Sequence, residues 1–205
     1  MTTDAASDAA LDRVLTIPNV ITAARLAAIP VFVWLVFGVQ ERLAAAVLLA
    51  VMGATDQIDG WLARRLGQVS TLGKVMDPVA DRVLVVTAVV VILVDGDAPL
   101  WLGVAVLARE AVVSLAVLGL ASLGAARIDV VWAGKAGTFG LMCGFPLFLV
   151  AGPSASWHDP ALIAAWVIVV PSLVMSWYAA ATYIPLARSA LAEGRRGRSS
   201  GGTVR

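Results

Sequence analysis

The chain has 205 residues, of which 15 are Lys or Arg and 14 are Asp or Glu, so its formal charge at pH 7 is only +1. Apolar residues make up 60% of it and the mean hydropathy is +0.89, whereas soluble domains are roughly 45–50% apolar. A water-soluble fold of this size could not bury so much apolar surface, which indicates an integral membrane protein. The near-neutral charge excludes a nucleic-acid-binding protein, and the single Cys143 excludes an internal disulfide.

Six apolar blocks follow in chain order, and each is close to the ~20 residues that cross a ~30 Å hydrocarbon core. They lie at 20–38, 43–62, 79–95, 99–123, 136–152 and 161–187. The pattern predicts an all-α polytopic membrane protein with six transmembrane helices. Residues 1–12 contain three Asp and no Lys or Arg, so a cleaved signal peptide is not expected.

The basic residues of the connections predict the orientation. Six spans put eleven Lys or Arg residues in the segments on one side and only Arg42 on the other, which is a strong positive-inside bias. Both termini are therefore expected in the cytoplasm, with the protein in the inner (cell) membrane. The predicted organisation is a cytoplasmic N-terminal segment at 1–19, a six-helix transmembrane domain at 20–187 and a flexible, basic cytoplasmic tail at 188–205.

Four carboxylates lie within or beside the apolar blocks. Asp56 and Asp59 are three residues apart near the end of the second block, and Asp77 and Asp81 are four apart at the start of the third. Both spacings put two side chains on one helix face, so four carboxylates are expected to converge from two consecutive helices. Each Asp costs about 2.5–3.5 kcal/mol at the centre of a membrane helix, so a basic partner or a bound cation must compensate.

Carboxylate oxygens in this number suit hard divalent cations. Two Mg²⁺ or Mn²⁺ ions would offset four negative charges and leave coordination sites for phosphate oxygens. Gly60 and Gly73 remove side chains beside the acids, so that a bulky anion can approach the backbone, and Arg64 can offer its guanidinium fork to phosphate. A salt-bridged bundle core is the alternative, with candidate partners at Arg25, Arg64, Lys74 and Arg82.

At these acids the sequence resembles the CDP-alcohol phosphotransferase family (CDP-alcohol phosphatidyltransferases), whose signature is D-x2-D-G-x2-A-R-x8-G-x3-D-x3-D. Its eight fixed positions over 26 residues are all filled here: Asp56, Asp59, Gly60, Ala63, Arg64, Gly73, Asp77 and Asp81. The resemblance implies that the four carboxylates hold two divalent metals and that Asp81 also acts as general base, with Asp77 beside it. The cytidine diphosphate pocket would be lined by Gly60, Ala63, Arg64 and Gly73. An acceptor hydroxyl would attack the phosphorus that carries diacylglycerol, and CMP would leave.

The first block narrows the branch, because residues 17–25, I-P-N-V-I-T-A-A-R, resemble the bacterial phosphatidylglycerophosphate and cardiolipin synthase group. The segments D-P-V-A-D-R at 77–82, A-R-E at 108–110 and G-K-A-G-T at 134–138 do so as well. The donor implied is CDP-diacylglycerol. Asn19, Thr22 and Arg25 share roughly one face of the first helix and are expected to reach the donor headgroup from the side.

The acceptor remains open between phosphatidylglycerol, a lipid, and glycerol-3-phosphate, a soluble phosphate monoester. Phosphatidylglycerophosphate synthases usually have a second Lys where this chain has Gly137, and an Arg where it has Val117. Glycerol-3-phosphate carries nearly two negative charges and phosphatidylglycerol one, so the loss of two cations favours phosphatidylglycerol, hence cardiolipin synthesis, with glycerol-3-phosphate as the alternative. The predicted acceptor subsite comprises Arg109, Glu110 and Lys135; the alternative is that Arg109 pairs with Glu110 or an Asp to hold helices together.

A rival of another class is a cation-coupled transporter, since intramembrane acids also mark ion pathways, and an inactive scaffold is a third interpretation. Acids clustered at the cytoplasmic ends of two neighbouring blocks favour phosphate chemistry at the cytoplasmic face. The resemblance also implies a homodimer, which members of the family often form. Gly140 and Gly144 are expected to let neighbouring helices approach closely, and the sole histidine, His158, lies in a predicted loop.

Overall fold

Six α-helices follow one another in the part of the chain that the structure, a computed structural model, describes. This part comprises residues 16–66, 71–122, 132–152 and 156–200, without the side chains of 17–18, 56–66, 71–75, 120–122, 183–184 and 186–200. The helices are α1 (Ile17–Phe37), α2 (Arg42–Leu66), α3 (Thr71–Asp95), α4 (Leu100–Ser122), α5 (Trp132–Val150) and α6 (His158–Ser200). These ranges contain no strand, and the predicted all-α class is confirmed.

Four of the helices are long and apolar enough to cross a membrane, over Asn19–Phe37, Leu100–Gly119, Trp132–Val150 and His158–Thr182. In α2, a shorter apolar stretch covers Arg42–Thr55. Large apolar side chains are exposed on the outward faces of the helices, as a lipid environment allows; examples are Trp34, Val90, Leu115, Leu118, Val167 and Val174. The chain is a membrane protein.

The core is built from side chains of all six helices. Its largest fully buried members are Phe32, Leu49, Ile92, Leu102, Leu141, Leu149 and Phe148. Trp166 of α6 stacks on Trp101 of α4, with ring centroids 5.7 Å apart, and meets Phe148 of α5 edge-on at 5.4 Å. Because lipid tails are as apolar as these side chains, close packing rather than exclusion from water holds such helices together.

The contact between α5 and α6 depends on glycine. A Cβ added at Gly140 would collide with the side chain of Ser172, and one added at Gly144 would collide with Val169. The two helices therefore approach each other more closely than side chains at these positions would allow, and the predicted role of Gly140 and Gly144 is confirmed.

The helix ends differ from the apolar blocks. Helix α3 begins at Thr71, eight residues before the third block, and α6 continues to Ser200, beyond the predicted end at 187. Apolar content does not register polar helical turns. Residues 188–200 include four Arg, two Ala, one Leu and one Glu, which are strong helix formers, beside two Gly and three Ser. The loop predicted around His158 is wrong at this residue, because α6 begins there, with Pro160 tolerated in its first turn.

Candidate active site

Two side chains of α1 contact the third and fourth acids of the signature on α3. The Thr22 hydroxyl donates to Asp77 Oδ1 at 2.6 Å, and Arg25 Nη1 donates to Asp81 Oδ1 at 2.7 Å. Residue numbers increase along both helices from the first contact to the second, so α1 and α3 run in the same direction. The prediction that Asp77 and Asp81 share a helix face is confirmed by this arrangement.

Burial is uneven across the Arg25–Asp81 ion pair. The Arg25 side chain is 1% exposed, whereas that of Asp81 is 40% exposed. A guanidinium removed from solvent is costly without a counter-charge, so the carboxylate stabilises it. Arg25 therefore binds one oxygen of Asp81 from the interior of the protein, while the Asp81 side chain remains partly exposed.

The local sequence explains why this face of α1 points inward. Thr16 caps the helix, its hydroxyl accepting from the Asn19 backbone N–H at 3.4 Å, and Pro18 occupies the first turn, where a missing N–H costs nothing. Asn19, Thr22 and Arg25 are all buried. They were predicted to reach the donor headgroup; in the structure, Thr22 and Arg25 contact the acids of α3.

Several predicted site residues lie outside the described side chains: Asp56, Asp59, Gly60, Ala63, Arg64 and Gly73. The backbone of the first five lies in α2, whereas Gly73, predicted in the connection before the third block, lies in α3. Among the described side chains there is no group of three or more His, Cys, Asp or Glu that could hold a metal ion. This statement does not extend to Asp56 and Asp59, two of the four predicted acids, because their side chains are not described.

Asp77 and Asp81 nevertheless suit a hard divalent cation. They offer carboxylate oxygens one helical turn apart on a single face, and the Asp81 side chain is accessible. Thr22 and Arg25 fix one oxygen of each carboxylate, in the manner of the outer partners that orient metal ligands.

A second polar cluster lies on α4. Arg109 Nη1 donates to Glu110 Oε1, and both residues are buried. Arg82, which follows Asp81 on α3, donates to the Ser114 hydroxyl, which in turn donates to the Glu110 backbone carbonyl at 2.6 Å. The Arg109–Glu110 pair that was considered as an alternative to an acceptor subsite is thus present.

Sequence reasoning missed Ser114, although its position four residues after Glu110 puts both on one face of α4. Arg82 was a candidate partner of the acids, and its hydrogen bond instead links α3 to α4. Lys135, the third residue predicted for the acceptor, is exposed in the first turn of α5.

Val117 and Gly137, the positions at which phosphatidylglycerophosphate synthases usually have a cation, differ in their surroundings. Val117 is exposed on α4, whereas Gly137 is buried where α5 packs on α6. A Cβ at Gly137 would collide with the Ser176 hydroxyl and lie 2.8 Å from the Ser172 backbone oxygen. The helix contact therefore leaves no space for a lysine at position 137.

With this geometry established, comparison with known proteins identifies the class. The family model for CDP-alcohol phosphatidyltransferase matches residues 15–188, so the chain belongs to this family. This match covers the first five helices and α6 as far as residue 188, and it includes every residue of the predicted site.

Named relatives support the same assignment. A "Cardiolipin synthase (CMP-forming)" from Streptomyces coelicolor is 39% identical over 178 residues, covering 84% of this chain and 83% of the relative. "CDP-diacylglycerol–glycerol-3-phosphate 3-phosphatidyltransferases" from Bacillus subtilis and Pseudomonas fluorescens are 32% identical over 186 residues and 34% identical over 178 residues. They cover 78% and 74% of this chain, and 91% of each relative. The predicted enzyme class, a CDP-diacylglycerol-dependent phosphatidyltransferase, is confirmed.

Proposed function

We propose that this enzyme transfers the phosphatidyl group of CDP-diacylglycerol to phosphatidylglycerol, which forms cardiolipin and releases CMP. The observation that carries the proposal is the complete eight-residue signature, with Asp77 and Asp81 held on one face of α3 by side chains of α1. The relative named as a CMP-forming cardiolipin synthase, at 39% identity, supports the choice of product.

Each part of the signature has a role in this reaction. Asp56, Asp59, Asp77 and Asp81 would hold two Mg²⁺ or Mn²⁺ ions, which neutralise the diphosphate and stabilise the charge that develops on it. Asp81 accepts the proton of the acceptor hydroxyl as the new phosphate ester bond forms and the bond to CMP breaks. Gly60, Ala63, Arg64 and Gly73 are assigned to the nucleotide pocket, where the Arg64 guanidinium would donate to phosphate oxygens.

The described part of the acceptor region favours a singly charged acceptor. Gly137 is packed against Ser172 and Ser176, and Val117 is apolar, so neither position supplies a cation for a monoester phosphate. Arg109 is already paired with Glu110, and this pair together with Lys135 forms the proposed acceptor subsite. Glycerol-3-phosphate remains the second candidate, because two relatives named for that acceptor match the chain.

All six helices are proposed to span the inner membrane. The parallel direction of α1 and α3 supports this, because α2 must return across the membrane between them. The positive-inside bias supports a cytoplasmic location of both termini, of the basic tail and of the acids of α2 and α3. A homodimer is part of the proposal. The transporter alternative loses support, because the family match covers the acids themselves.

A CMP-release assay with purified protein tests the proposal. CDP-diacylglycerol and Mg²⁺ or Mn²⁺ are supplied with either phosphatidylglycerol or glycerol-3-phosphate, and the lipid product is identified by mass spectrometry. Phosphatidylglycerol-dependent CMP release with formation of cardiolipin is expected, and EDTA should abolish it. CMP release with glycerol-3-phosphate alone would instead establish the second candidate, and no CMP with either acceptor would contradict both.

An Asp77→Asn variant separates the proposed site from a contaminating activity. It should lose CMP release, because it removes a metal-binding charge while the amide oxygen can still accept from Thr22. The matched control is Asp159→Asn, the same change at an exposed carboxylate in the first turn of α6. Equal activity of both variants would count against the assigned metal site.

A further inference from the structure

Arg82 of α3 differs from the other arginines whose side chains the structure describes. Within the described part of the chain, Arg82 forms no ion pair, and its guanidinium donates to the neutral Ser114 hydroxyl. A cation on a membrane-spanning helix is costly without a counter-charge, so this side chain favours an anionic ligand. The other described arginines are each paired with an acid: Arg25 with Asp81, Arg42 with Asp95 and Asp97, and Arg109 with Glu110.

The Ser114 hydroxyl holds the Arg82 guanidinium without neutralising it. Because this hydroxyl donates to the Glu110 backbone carbonyl at 2.6 Å, its oxygen is left to accept from Arg82. A guanidinium has five N–H donors, so one bond to a hydroxyl leaves others for a second acceptor. Arg82 is partly exposed, and a ligand can therefore reach these donors.

Arg82 lies between two different faces of α3. Successive residues of an α-helix are about 100° apart, so Arg82 is about 100° around the helix from Asp81, the proposed base. The same rotation continued leads to a face of exposed valines, which a lipid environment covers. Its members are Val79, Val83, Val86 and Val90.

The turns on either side of Arg82 show which end of this region is open. Pro78 and Val85 both lie between the directions of Asp81 and Arg82 on the helix surface, since each is three or four residues from both. Pro78 is exposed, whereas Val85 is 4% exposed. The space between the acid and the guanidinium is therefore open toward the start of α3, which is the proposed cytoplasmic end, and closed toward the middle of the helix.

From this geometry we infer that Arg82 binds the phosphodiester of the acceptor phosphatidylglycerol, an inference that rests on the function proposed above. The guanidinium fork can bind two phosphate oxygens, with Ser114 as its positioning residue. The acyl chains of the lipid would lie along the exposed valines, and its headgroup glycerol would extend toward Asp81. The phosphate of glycerol-3-phosphate has the same chemistry, but this molecule has no acyl chains for the valine face.

The kinetics of an Arg82→Gln variant in mixed micelles test this role. The apparent KM for phosphatidylglycerol should rise about tenfold or more, because a charge-assisted hydrogen bond is lost. The KM for CDP-diacylglycerol and kcat should change little, since the lost contact binds the acceptor equally in the ground state and the transition state. An unchanged KM for phosphatidylglycerol, or a rise in the KM for the donor instead, would overturn the inference.

Three further variants accompany Arg82→Gln. Arg82→Lys keeps the charge but not the fork and should recover part of the loss. Ser114→Ala removes only the positioning hydroxyl and should raise the same KM by less than Arg82→Gln does. The matched control is Arg198→Gln, the same loss of charge in the part of α6 beyond the family match, and its KM should equal that of the unaltered chain.

A binding measurement separates this inference from the proposed function. Glycerophosphoglycerol is the deacylated headgroup of phosphatidylglycerol, and glycerol lacks its phosphate. In detergent, glycerophosphoglycerol should raise the thermal unfolding midpoint of the unaltered chain saturably and by more than glycerol does. Arg82→Gln should abolish this difference, and Arg198→Gln should retain it. No difference in the unaltered chain, or one that survives in Arg82→Gln, would contradict the phosphate site.

The two measurements fail in different ways. A chain that binds glycerophosphoglycerol through Arg82 but forms no cardiolipin would contradict the proposed function alone. A chain that forms cardiolipin with the same KM and the same thermal shift in Arg82→Gln would contradict this inference alone. If Arg82→Gln does not fold, Arg82→Lys replaces it in both measurements, and an unchanged KM and shift in that variant would contradict the inference.

Discussion

The Arg25 guanidinium lies 2.7 Å from Oδ1 of Asp81, and only the carboxylate of this pair is open to the surroundings. Arg25 is therefore a positioning residue for the proposed base: it fixes one oxygen from the core and leaves the side chain directed outward. An arginine suits this role, since its planar, permanently charged fork holds a carboxylate in one orientation.

The Asp81→Asn substitution should abolish transfer while the protein stays folded. The amide oxygen can still accept from Arg25, but the amide cannot accept the proton of the acceptor, so CMP release should decrease by at least about 10²-fold. Thermal unfolding and size-exclusion chromatography report on the fold. Normal turnover of the variant would rule out Asp81 as the base.

The Thr22→Val substitution should weaken metal binding more than it lowers the maximal rate. It removes the hydroxyl that orients Asp77. Loss of a side chain that orients a metal ligand typically lowers metal affinity or activity by about 10–100-fold. The measurement is CMP release against Mg²⁺ concentration. Thr55→Val is the matched control, because within the described part of the chain the Thr55 hydroxyl donates to carbonyls of its own helix, those of Val51 and Met52. Equal metal dependence of the two variants would contradict the role of Thr22.

The Gly137→Ala substitution should destabilise the protein by about 1–3 kcal/mol, because the added Cβ collides with Ser176 in the α5–α6 contact. The same change at Gly119, where a Cβ meets no atom within 4 Å, should be neutral or stabilising by up to about 1 kcal/mol. Thermal unfolding in detergent compares the two variants. A stable Gly137→Ala protein would show that α5 and α6 are less closely packed than described, and would reopen the possibility of a lysine at this position.

Stability should also depend on the protonation of Asp97, in the connection between α3 and α4. Burial raises its pKa from 3.8 to about 6; Arg42 opposes this increase and Asp95 adds to it. The folded chain thus binds this proton more tightly than the unfolded chain does. Its contribution to stability is fully present below about pH 4 and is lost as the pH rises through about 6, amounting to at most about 3 kcal/mol.

Unfolding midpoints measured across this pH range in the Asp97→Asn variant should lack that component. His158 and Asp97 line one cavity. A His158→Gln variant is therefore measured in parallel to remove any contribution from the imidazole. A pH profile unchanged by Asp97→Asn but flattened by His158→Gln would assign the effect to the histidine instead.

The existence of the helices and the face shared by Asp77 and Asp81 could be predicted because both depend on local sequence. Apolar blocks of membrane-spanning length indicate helices, and a four-residue spacing fixes a common face. Helix ends could not be predicted as well, since polar turns at 71–78 and beyond 187 continue the helices without an apolar signal.

Contacts between residues that are far apart in the chain could not be predicted from the sequence. Thr22 and Asp77 are 55 residues apart, and spacing within either helix does not show which side chains of the other helix they meet. The ion pairs of Arg42 with Asp95 and Asp97 were missed for the same reason. The sequence did contain a signal. Arg42 is the single basic residue of the connections predicted to lie on the outer side, and Asp95 and Asp97 are in the next of these predicted connections.

Helix α6 has 43 residues and is therefore about 65 Å long, more than twice the ~30 Å thickness of the hydrocarbon core. No tilt common among membrane helices can contain it, so its C-terminal part extends beyond the hydrocarbon core. Four arginines lie on that part, at 188, 195, 196 and 198. In the orientation that we propose, this part of the last helix carries four positive charges on the cytoplasmic side, the side on which we propose that the anionic lipid is made.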